Sequence, residues 1–127
     1  MCAAFEGAVT SGLGKGAVFM SIDYYKGQVK EKLGFIPFHG TLNLIANNIV
    51  HLLKKTTPIR IESFKKNGIF YGGADCYKIN INGRKAAIIV PDLTEHENNV
   101  VEIIAPVNLK SELKIKDGNK VKVELLQ

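Results

Sequence analysis

Alternating apolar and polar side chains predict strands over much of this chain. Residues 77–82 alternate in this way, and Asn82-Gly83 then offers a two-residue hairpin turn, so Ala86–Pro91 is predicted to return as the partner strand. Residues 120–125 repeat the alternation just after the turn-forming pair Asp117-Gly118. Further short strands are predicted at Phe5–Thr10, Ala17–Ile22, Thr41–Ile45, Ile59–Phe64 and Val100–Ile104. So many short strands in one small chain predict a mainly β protein that closes into a barrel.

Two segments show helical spacing instead. The first begins at Asp23, a residue type favoured at helix N-caps, and stops at Gly34. Its predicted buried face consists of Tyr25, Val29 and Leu33. The second begins near Pro106 and places Leu109 one turn before Leu113. We expect these one or two short helices to cap the barrel.

Composition narrows the class of protein. A chain of 127 residues with 46% hydrophobic and 23% charged residues fits one globular domain over residues 1–127. No apolar run approaches the roughly 18 residues that span a bilayer, and the N-terminus lacks the pattern of a secretory signal. Cys2 and Cys76 suggest neither a disulfide framework nor a zinc site. We therefore expect a cytoplasmic monomer, without a membrane or nucleic-acid partner, whose net charge of +5 suits an anionic ligand without identifying it.

The glycine-rich segment Ser11–Gly16 could bind phosphate. Its three glycines at alternate positions let the backbone turn tightly, and backbone N–H groups in such loops can cradle an anion. The segment lacks the Gly-Lys-Ser/Thr ending of a Walker loop and the spacing of a dinucleotide fingerprint. Taken alone, it is more typical of a hairpin turn.

Oxygen-bearing side chains on two predicted strands are the other candidates for a site. Thr41 and Asn43 project from the same face of a strand, and their oxygens are hard ligands of the kind that Mg²⁺ takes, although such residues also satisfy backbone groups. Glu102 lies within the apolar run Val100–Ile104. A carboxylate there either points outward from the strand, or faces a ligand or acts as a base, and the pattern alone leaves these interpretations open.

Three stretches, taken together and in order, resemble the archaeal CTP-dependent riboflavin kinases. They are residues 7–16 (GAVTSGLGKG), residues 33–44 (LGFIPFHGTLNL) and residues 102–110 (EIIAPVNLK). The resemblance covers nearly the whole chain, and it implies a six-stranded cradle-loop barrel related in shape to swapped-hairpin transcription factors. It also implies transfer of the γ-phosphate of CTP to the ribityl 5′-hydroxyl of riboflavin, giving FMN and CDP, with Mg²⁺ required.

The resemblance also carries over site residues. It implies that the nucleotide is bound by Gly12, Leu13, Gly14, Lys15, Gly16, Ala17, Val107, Asn108, Leu109 and Lys110, that Mg²⁺ is bound by Thr41 and Asn43, and that the flavin is contacted by Thr94 and Glu102. Glu102 would either orient or deprotonate the attacking hydroxyl, or serve only as a flavin contact. The chain departs from the family at Lys15, where an acidic residue is common, and at Lys110, where arginine is usual. Lys110 cannot reproduce a planar bidentate contact with phosphate.

The sequence does not exclude two other functions. A DNA-binding barrel regulator fits the basic charge and the resemblance of residues 107–127 to half of such a fold, but the chain shows no arginine-rich strip. A flavin carrier would keep Thr94 and Glu102 and would need neither the glycine loop nor Thr41 and Asn43. Some relatives also carry a DNA-binding domain before the barrel, which we do not expect here.

Overall fold

The computed structural model describes residues 3–12, 20–92 and 99–126. The strands within these residues are β1 (Ala3–Thr10), β2 (Leu42–Ile45), β3 (Ile59–Ile61), β4 (Phe64–Lys66), β5 (Ile69–Tyr71), β6 (Ala74–Ile81), β7 (Arg84–Pro91), β8 (Val100–Ile104) and β9 (Lys120–Leu125). The helices are α1 (Asp23–Leu33), α2 (Ile49–Leu53) and α3 (Leu109–Leu113). In this part of the chain, no helix has the length and apolar character that crossing a bilayer requires.

Six antiparallel strands close into a barrel in the order β6, β7, β8, β2, β1 and β9. Strand β9 returns to β6 through the pairs Ile79 with Leu125 and Ile81 with Val123, which completes the ring. The first half of β6 pairs instead with β3, which lies outside the ring, while β4 and β5 form a separate hairpin. The mainly β, closed barrel that the strand pattern predicts is confirmed, and so are the six strands that the family resemblance implies.

Alternation along the strands separates two hydrophobic cores. The inner core fills the barrel and includes Val9, Leu42, Leu44, Ile79, Ile81, Ile88, Val101, Ile103, Val121, Val123 and Leu125. Residues of the opposite parity on β6 and β7, such as Cys76 and Ile89, form an outer core with the buried face of α1. Full burial of side chains such as Val29 and Leu33 stabilises the fold by roughly 1.5–3 kcal/mol each. Helix α1 therefore covers the outside of the barrel wall, whereas α2 and α3 contribute residues to the inner core.

Several local predictions hold. Asn82 and Gly83 both have positive φ, 47° and 82°, as the turn of the β6–β7 hairpin requires. Gly34 ends α1 at φ 84°, in the left-handed conformation that glycine adopts without strain. The predicted N-cap is wrong by one residue, because Ile22 occupies that position without a side-chain capping bond and Asp23 lies in the first turn. Asp23 instead forms an exposed ion pair with Lys26 at 3.3 Å.

Other segments differ from the predicted strands. Of the strand expected at Ala17–Ile22, residues 17–19 lie outside the described part, Met20 is helical, and the next two residues form the turn into α1. The strand expected at Ile59–Phe64 stops at Ile61, because Phe64 begins the β4–β5 hairpin and its ring stacks on Tyr71 at 4.5 Å. Helix α2 was not predicted, since five residues are too few to show a helical period.

The buried thiol of Cys76 gives a test of the outer core. The side chain is fully buried, and this burial, with a smaller contribution from the charge of Asp75, raises the pKa of the Cys76 thiol to about 12. At pH 8 only roughly one such thiol in 10⁴ is ionised. In a Cys2→Ser variant we therefore expect almost no reaction with a disulfide reagent in the native state and full reaction in denaturant. Native labelling at the rate of a free thiol would contradict this packing.

Candidate functional site

A row of residues on the outer face of the barrel brings together two of the predicted site residues. Strand β2 pairs with β8 so that Asn43 lies directly opposite Glu102, while their neighbours Leu42 and Ile103 point into the barrel. On the other side of Asn43, strand β1 contributes Thr10. Because opposite residues of an antiparallel pair share a face, the Asn43 and Glu102 side chains are neighbours although they are 59 positions apart in the chain.

Thr41 joins this pair. Its hydroxyl Oγ1 donates a hydrogen bond to Glu102 Oε2 at 2.9 Å. Asn43 is only 8% exposed, and among the described residues it is the only buried one with a charged, amide or aliphatic hydroxyl side chain. We call Thr41, Asn43 and Glu102 the oxygen cluster. Glu102 therefore faces outward from its strand and lies against the two predicted metal ligands, and its role toward a ligand stays a prediction.

Gly12 begins the glycine-rich loop directly on top of this cluster. A Cβ atom at position 12 would lie 2.3 Å from the carboxamide atoms of Asn43, far inside van der Waals contact. The missing side chain of Gly12 is therefore what allows this residue to pack on Asn43. The other predicted loop residues, Leu13 to Ala17, lie outside the described part of the chain, as does the predicted flavin contact Thr94.

A cavity of about 190 Å³ adjoins the oxygen cluster. Its lining residues include Phe38, Gly40, Thr41 and all four members of the predicted nucleotide segment, Val107, Asn108, Leu109 and Lys110. Thr41 thus belongs to both the cavity and the cluster. Ligand pockets usually measure roughly 300–1,000 Å³, so this cavity is smaller than a pocket that encloses a whole ligand of ordinary size.

The members of the nucleotide segment differ in what their side chains do. Leu109 is 4% exposed and belongs to the inner core, so its side chain holds the segment in place. Asn108 caps helix α3, accepting a hydrogen bond from the backbone N–H of Ser111 at 3.3 Å. Lys110 is the only one of the four with a charged side chain, and it is about half exposed.

Asp117 links the two predicted nucleotide-binding segments and was not predicted as a site residue. It accepts a hydrogen bond from the Ser11 hydroxyl at 2.7 Å and another from the Lys110 ammonium at 3.0 Å. These two contacts, the Ser11 one foremost, hold the pKa of the Asp117 carboxyl below its usual range. In the sequence, Asp117-Gly118 reads only as a turn, since nothing in a turn signal indicates a partner 106 positions away.

An ion-pair network holds Asp92, the residue that follows β7. Arg60 on β3 donates hydrogen bonds to both carboxylate oxygens of Asp92 and a third to Asp75, the last at 3.2 Å. The Arg60 hydrogen bond holds the pKa of Asp92 below its ordinary value. Asp92 also donates its backbone N–H to the Gly73 carbonyl at 3.0 Å, which fixes the end of β7.

The oxygen cluster is a possible place for a hard cation. In the described ranges there is no group of three or more His, Cys, Asp or Glu that could hold a metal ion. The cluster is a different kind of donor set, with two neutral oxygens and one carboxylate. Mg²⁺ is usually bound by one or two protein oxygens, with water and phosphate oxygens completing its shell.

The comparisons with known proteins all indicate the same family. A family model named CTP-dep_RFKase and described as "Domain of unknown function DUF120" matches residues 9–125. The riboflavin kinase of Methanosarcina barkeri is 40% identical over 124 residues, which is 94% of this chain and 55% of that protein. The riboflavin kinase of Thermococcus kodakarensis is 42% identical, with 95% and 58% covered. That of Ignicoccus hospitalis is 39% identical over 93% of this chain and 68% of its own length. The chain thus spans little more than half the length of the first two relatives.

Proposed function

The chain belongs to the CTP-dependent riboflavin kinase family, and we propose on this basis that it transfers the γ-phosphate of CTP to the ribityl 5′-hydroxyl of riboflavin, giving FMN and CDP. The observation that carries the proposal is the oxygen cluster, which lies between the first residue of the glycine loop and the cavity lined by residues 107–110. A phosphoryl-transfer site needs such a convergence of phosphate-binding backbone, cation ligands and a base.

The reaction makes and breaks one bond to phosphorus. The ribityl oxygen bonds to the γ-phosphorus, the bond to the bridging oxygen breaks, and that oxygen leaves as part of CDP. The hydroxyl proton must leave as well, and we assign Glu102 to accept it. Its carboxylate belongs to the same cluster as the predicted metal ligands, so an attacking hydroxyl at Glu102 would lie close to the transferring phosphate.

Thr41 and Asn43 would hold Mg²⁺. The hydrogen bond from Thr41 to Glu102 uses the hydroxyl hydrogen and leaves the lone pairs of Oγ1 for a cation. When bound, Mg²⁺ neutralises negative charge on the phosphate oxygens. Asn43, which is buried between Gly12 and the Glu102 strand, has little room to move, and such fixed groups lose less entropy when they bind a ligand.

The backbone of the glycine loop and Lys110 would bind the phosphates. Lys110 lines the cavity, where an ammonium can act as a point charge toward phosphate without the planar geometry of arginine. Its three N–H donors allow it to keep the Asp117 contact while it binds a phosphate oxygen.

Incubation of the purified chain with riboflavin, Mg²⁺ and each nucleoside triphosphate in turn tests the proposal. We expect FMN with CTP at a rate at least about 10²-fold above that with ATP, because a site that hydrogen-bonds one base leaves buried polar groups unpaired with another. FMN formation is followed by chromatography, and heat-denatured protein is the control.

The other outcomes identify the competing functions. Equal or faster reaction with ATP would contradict CTP as the preferred donor and leave a riboflavin kinase. Riboflavin binding without FMN formation under any triphosphate would indicate a flavin carrier. Steeply salt-dependent binding of duplex DNA, with no binding of riboflavin, would favour a DNA-binding regulator.

A further inference from the structure

Two segments at the nucleotide site are joined by a single carboxylate. Asp117 Oδ2 accepts a hydrogen bond from the Ser11 hydroxyl, and Asp117 Oδ1 accepts one from the Lys110 ammonium. The two partners therefore bind different oxygens of the same carboxylate. Ser11 directly precedes Gly12, which packs on Asn43. Lys110 lines the cavity. Asp117 thus contacts the two sides of the candidate site without belonging to the oxygen cluster.

The backbone around Asp117 is fixed to strand β1. The N–H of Gly118 donates to the Val9 carbonyl at 2.8 Å, and the N–H of Val9 donates to the Asn119 carbonyl at 2.8 Å. Within the turn, the Asn119 side chain accepts from the backbone N–H of Lys116 at 3.0 Å. The Asp117 carboxylate is therefore presented from a turn that is held on both sides, and it serves as a fixed point for its two partners.

These contacts are poorly suited to stabilising the fold. The Asp117 side chain is 54% exposed and that of Lys110 is 43% exposed, and exposed ion pairs of this kind contribute little to folding. They do restrict a lysine side chain that is otherwise free to adopt many rotamers, and they restrict Ser11, the residue directly before Gly12. A site that is ordered before the ligand arrives binds that ligand more tightly.

We propose that Asp117 is a positioning residue of the nucleotide site, which sets the start of the glycine loop and the Lys110 ammonium at the spacing that the phosphates of the nucleotide require. The inference rests on the proposed function, because it takes the nucleotide to bind between these two segments. Asp117 does not touch the substrate and takes no part in the transfer itself.

The Asp117→Asn variant tests this role. Asparagine keeps the size and the turn preference, but it removes the charge and offers one oxygen where the carboxylate uses two. We expect the KM for CTP and the dissociation constant of Mg²⁺–CTP, measured by calorimetry without riboflavin, to rise about 5- to 10-fold. The kcat at saturating CTP and the KM for riboflavin should change less than about 2-fold, because the cluster residues are unaffected.

Glu112→Gln is the matched control. Glu112 lies on the same short helix as Lys110, forms an ion pair with Arg84 at 3.6 Å and is similarly exposed, so the variant removes the same charge from the same region. We expect its CTP affinity to equal that of the unmodified chain. Equal losses in both variants would attribute the effect to net charge and overturn the positioning role.

The salt dependence of CTP binding distinguishes a positioning role of Asp117 from simple repulsion between its charge and the phosphates. A second variant, Ser11→Ala, tests the bridge itself. The Asp117 charge also repels phosphate, and this effect is screened as salt is raised, whereas a loss of positioning persists.

The Ser11→Ala variant removes only the contact between Ser11 and Asp117. We expect it alone to raise the dissociation constant of Mg²⁺–CTP about 2- to 3-fold, and to cause no further rise in the Asp117→Asn background. Additive losses would show that the two residues act independently and would contradict the bridge.

The proposed function and this inference fail in different ways. If the unmodified chain binds CTP but forms no FMN, the kinase proposal is wrong, while the calorimetric comparison still tests Asp117. Unchanged or tighter CTP binding in Asp117→Asn overturns the positioning role even where FMN is formed. If the unmodified chain binds no CTP, the inference falls with its premise.

Discussion

Replacing Asn43 by alanine should lower FMN formation about 10²-fold, a loss equivalent to roughly 2.7 kcal/mol of transition-state stabilisation, while the barrel remains folded. Asn43 points away from the inner core, so its truncation removes an oxygen without opening the barrel interior. Thr41→Ala should give a comparable loss, and Thr41→Ser, which keeps the hydroxyl, should restore much of the activity. Rates measured over a range of Mg²⁺ concentrations should show that both alanine variants require more Mg²⁺ for half-maximal activity.

Ile45→Ala is the control for these variants. Ile45 lies on the same strand and the same outer face, two residues beyond Asn43, and is 45% exposed. The activity and the Mg²⁺ requirement of the Ile45→Ala variant should match those of the unmodified chain. Circular dichroism should show the same fold in each variant. Normal activity of Asn43→Ala or Thr41→Ala at limiting Mg²⁺ would remove that residue from the proposed metal ligands.

Gly12→Ala tests the proposed metal ligand Asn43 without changing Asn43 itself. The added methyl group would occupy the position of the Asn43 carboxamide, so either the loop or the amide must move. We expect this variant to share the raised Mg²⁺ requirement of Asn43→Ala although it deletes no oxygen. The two substitutions should also be clearly less than additive when they are combined, because the second removes a group that the first has already displaced.

The sequence predicts the parts of the fold that depend on neighbours in the chain. The Asn82-Gly83 hairpin and the buried face of α1 follow from turn chemistry and helical spacing, and both are confirmed. The β4–β5 hairpin was missed although Asn67-Gly68 carries the same turn signal, with φ of 53° and 78°. Its strands have three residues each, and residues 65–70 are all exposed, so no alternation of buried and exposed residues marked them.

Contacts between distant segments account for what the sequence could not predict. Thr41 and Asn43 are predicted to share a face, but their proximity to Glu102 depends on which residue of β8 lies opposite Asn43. A shift of that register by one residue would turn Glu102 into the barrel. The bridge from Ser11 through Asp117 to Lys110 depends in the same way on how β1 and the turn before β9 meet. The resemblance to a family indicated the first set of residues and Lys110, whereas only the structure indicated Asp117 and the bridge that it forms.

Glu102→Gln should lower kcat about 10²- to 10⁴-fold without restoring the rate at saturating riboflavin, because it removes the proposed base. Glutamine has the same shape, and its carbonyl oxygen can still accept the Thr41 hydrogen bond, so the oxygen cluster should keep its arrangement. The kinetic constants for riboflavin and CTP are measured separately, and riboflavin binding is followed by quenching of its fluorescence. Glu124→Gln, an exposed glutamate on β9, makes the same chemical change away from the cluster and should leave every constant unaltered.

The division of the effect between kcat and KM decides what Glu102 does. A base acts only in the transfer step, so its loss lowers kcat while riboflavin still binds. A residue that only contacts the flavin would raise the KM for riboflavin, and saturating substrate would then recover kcat. If both constants are unchanged, Glu102 has neither role, and its bond to Thr41 serves only to hold β8 against the residue that precedes β2. That last outcome would also require another group to take the ribityl proton.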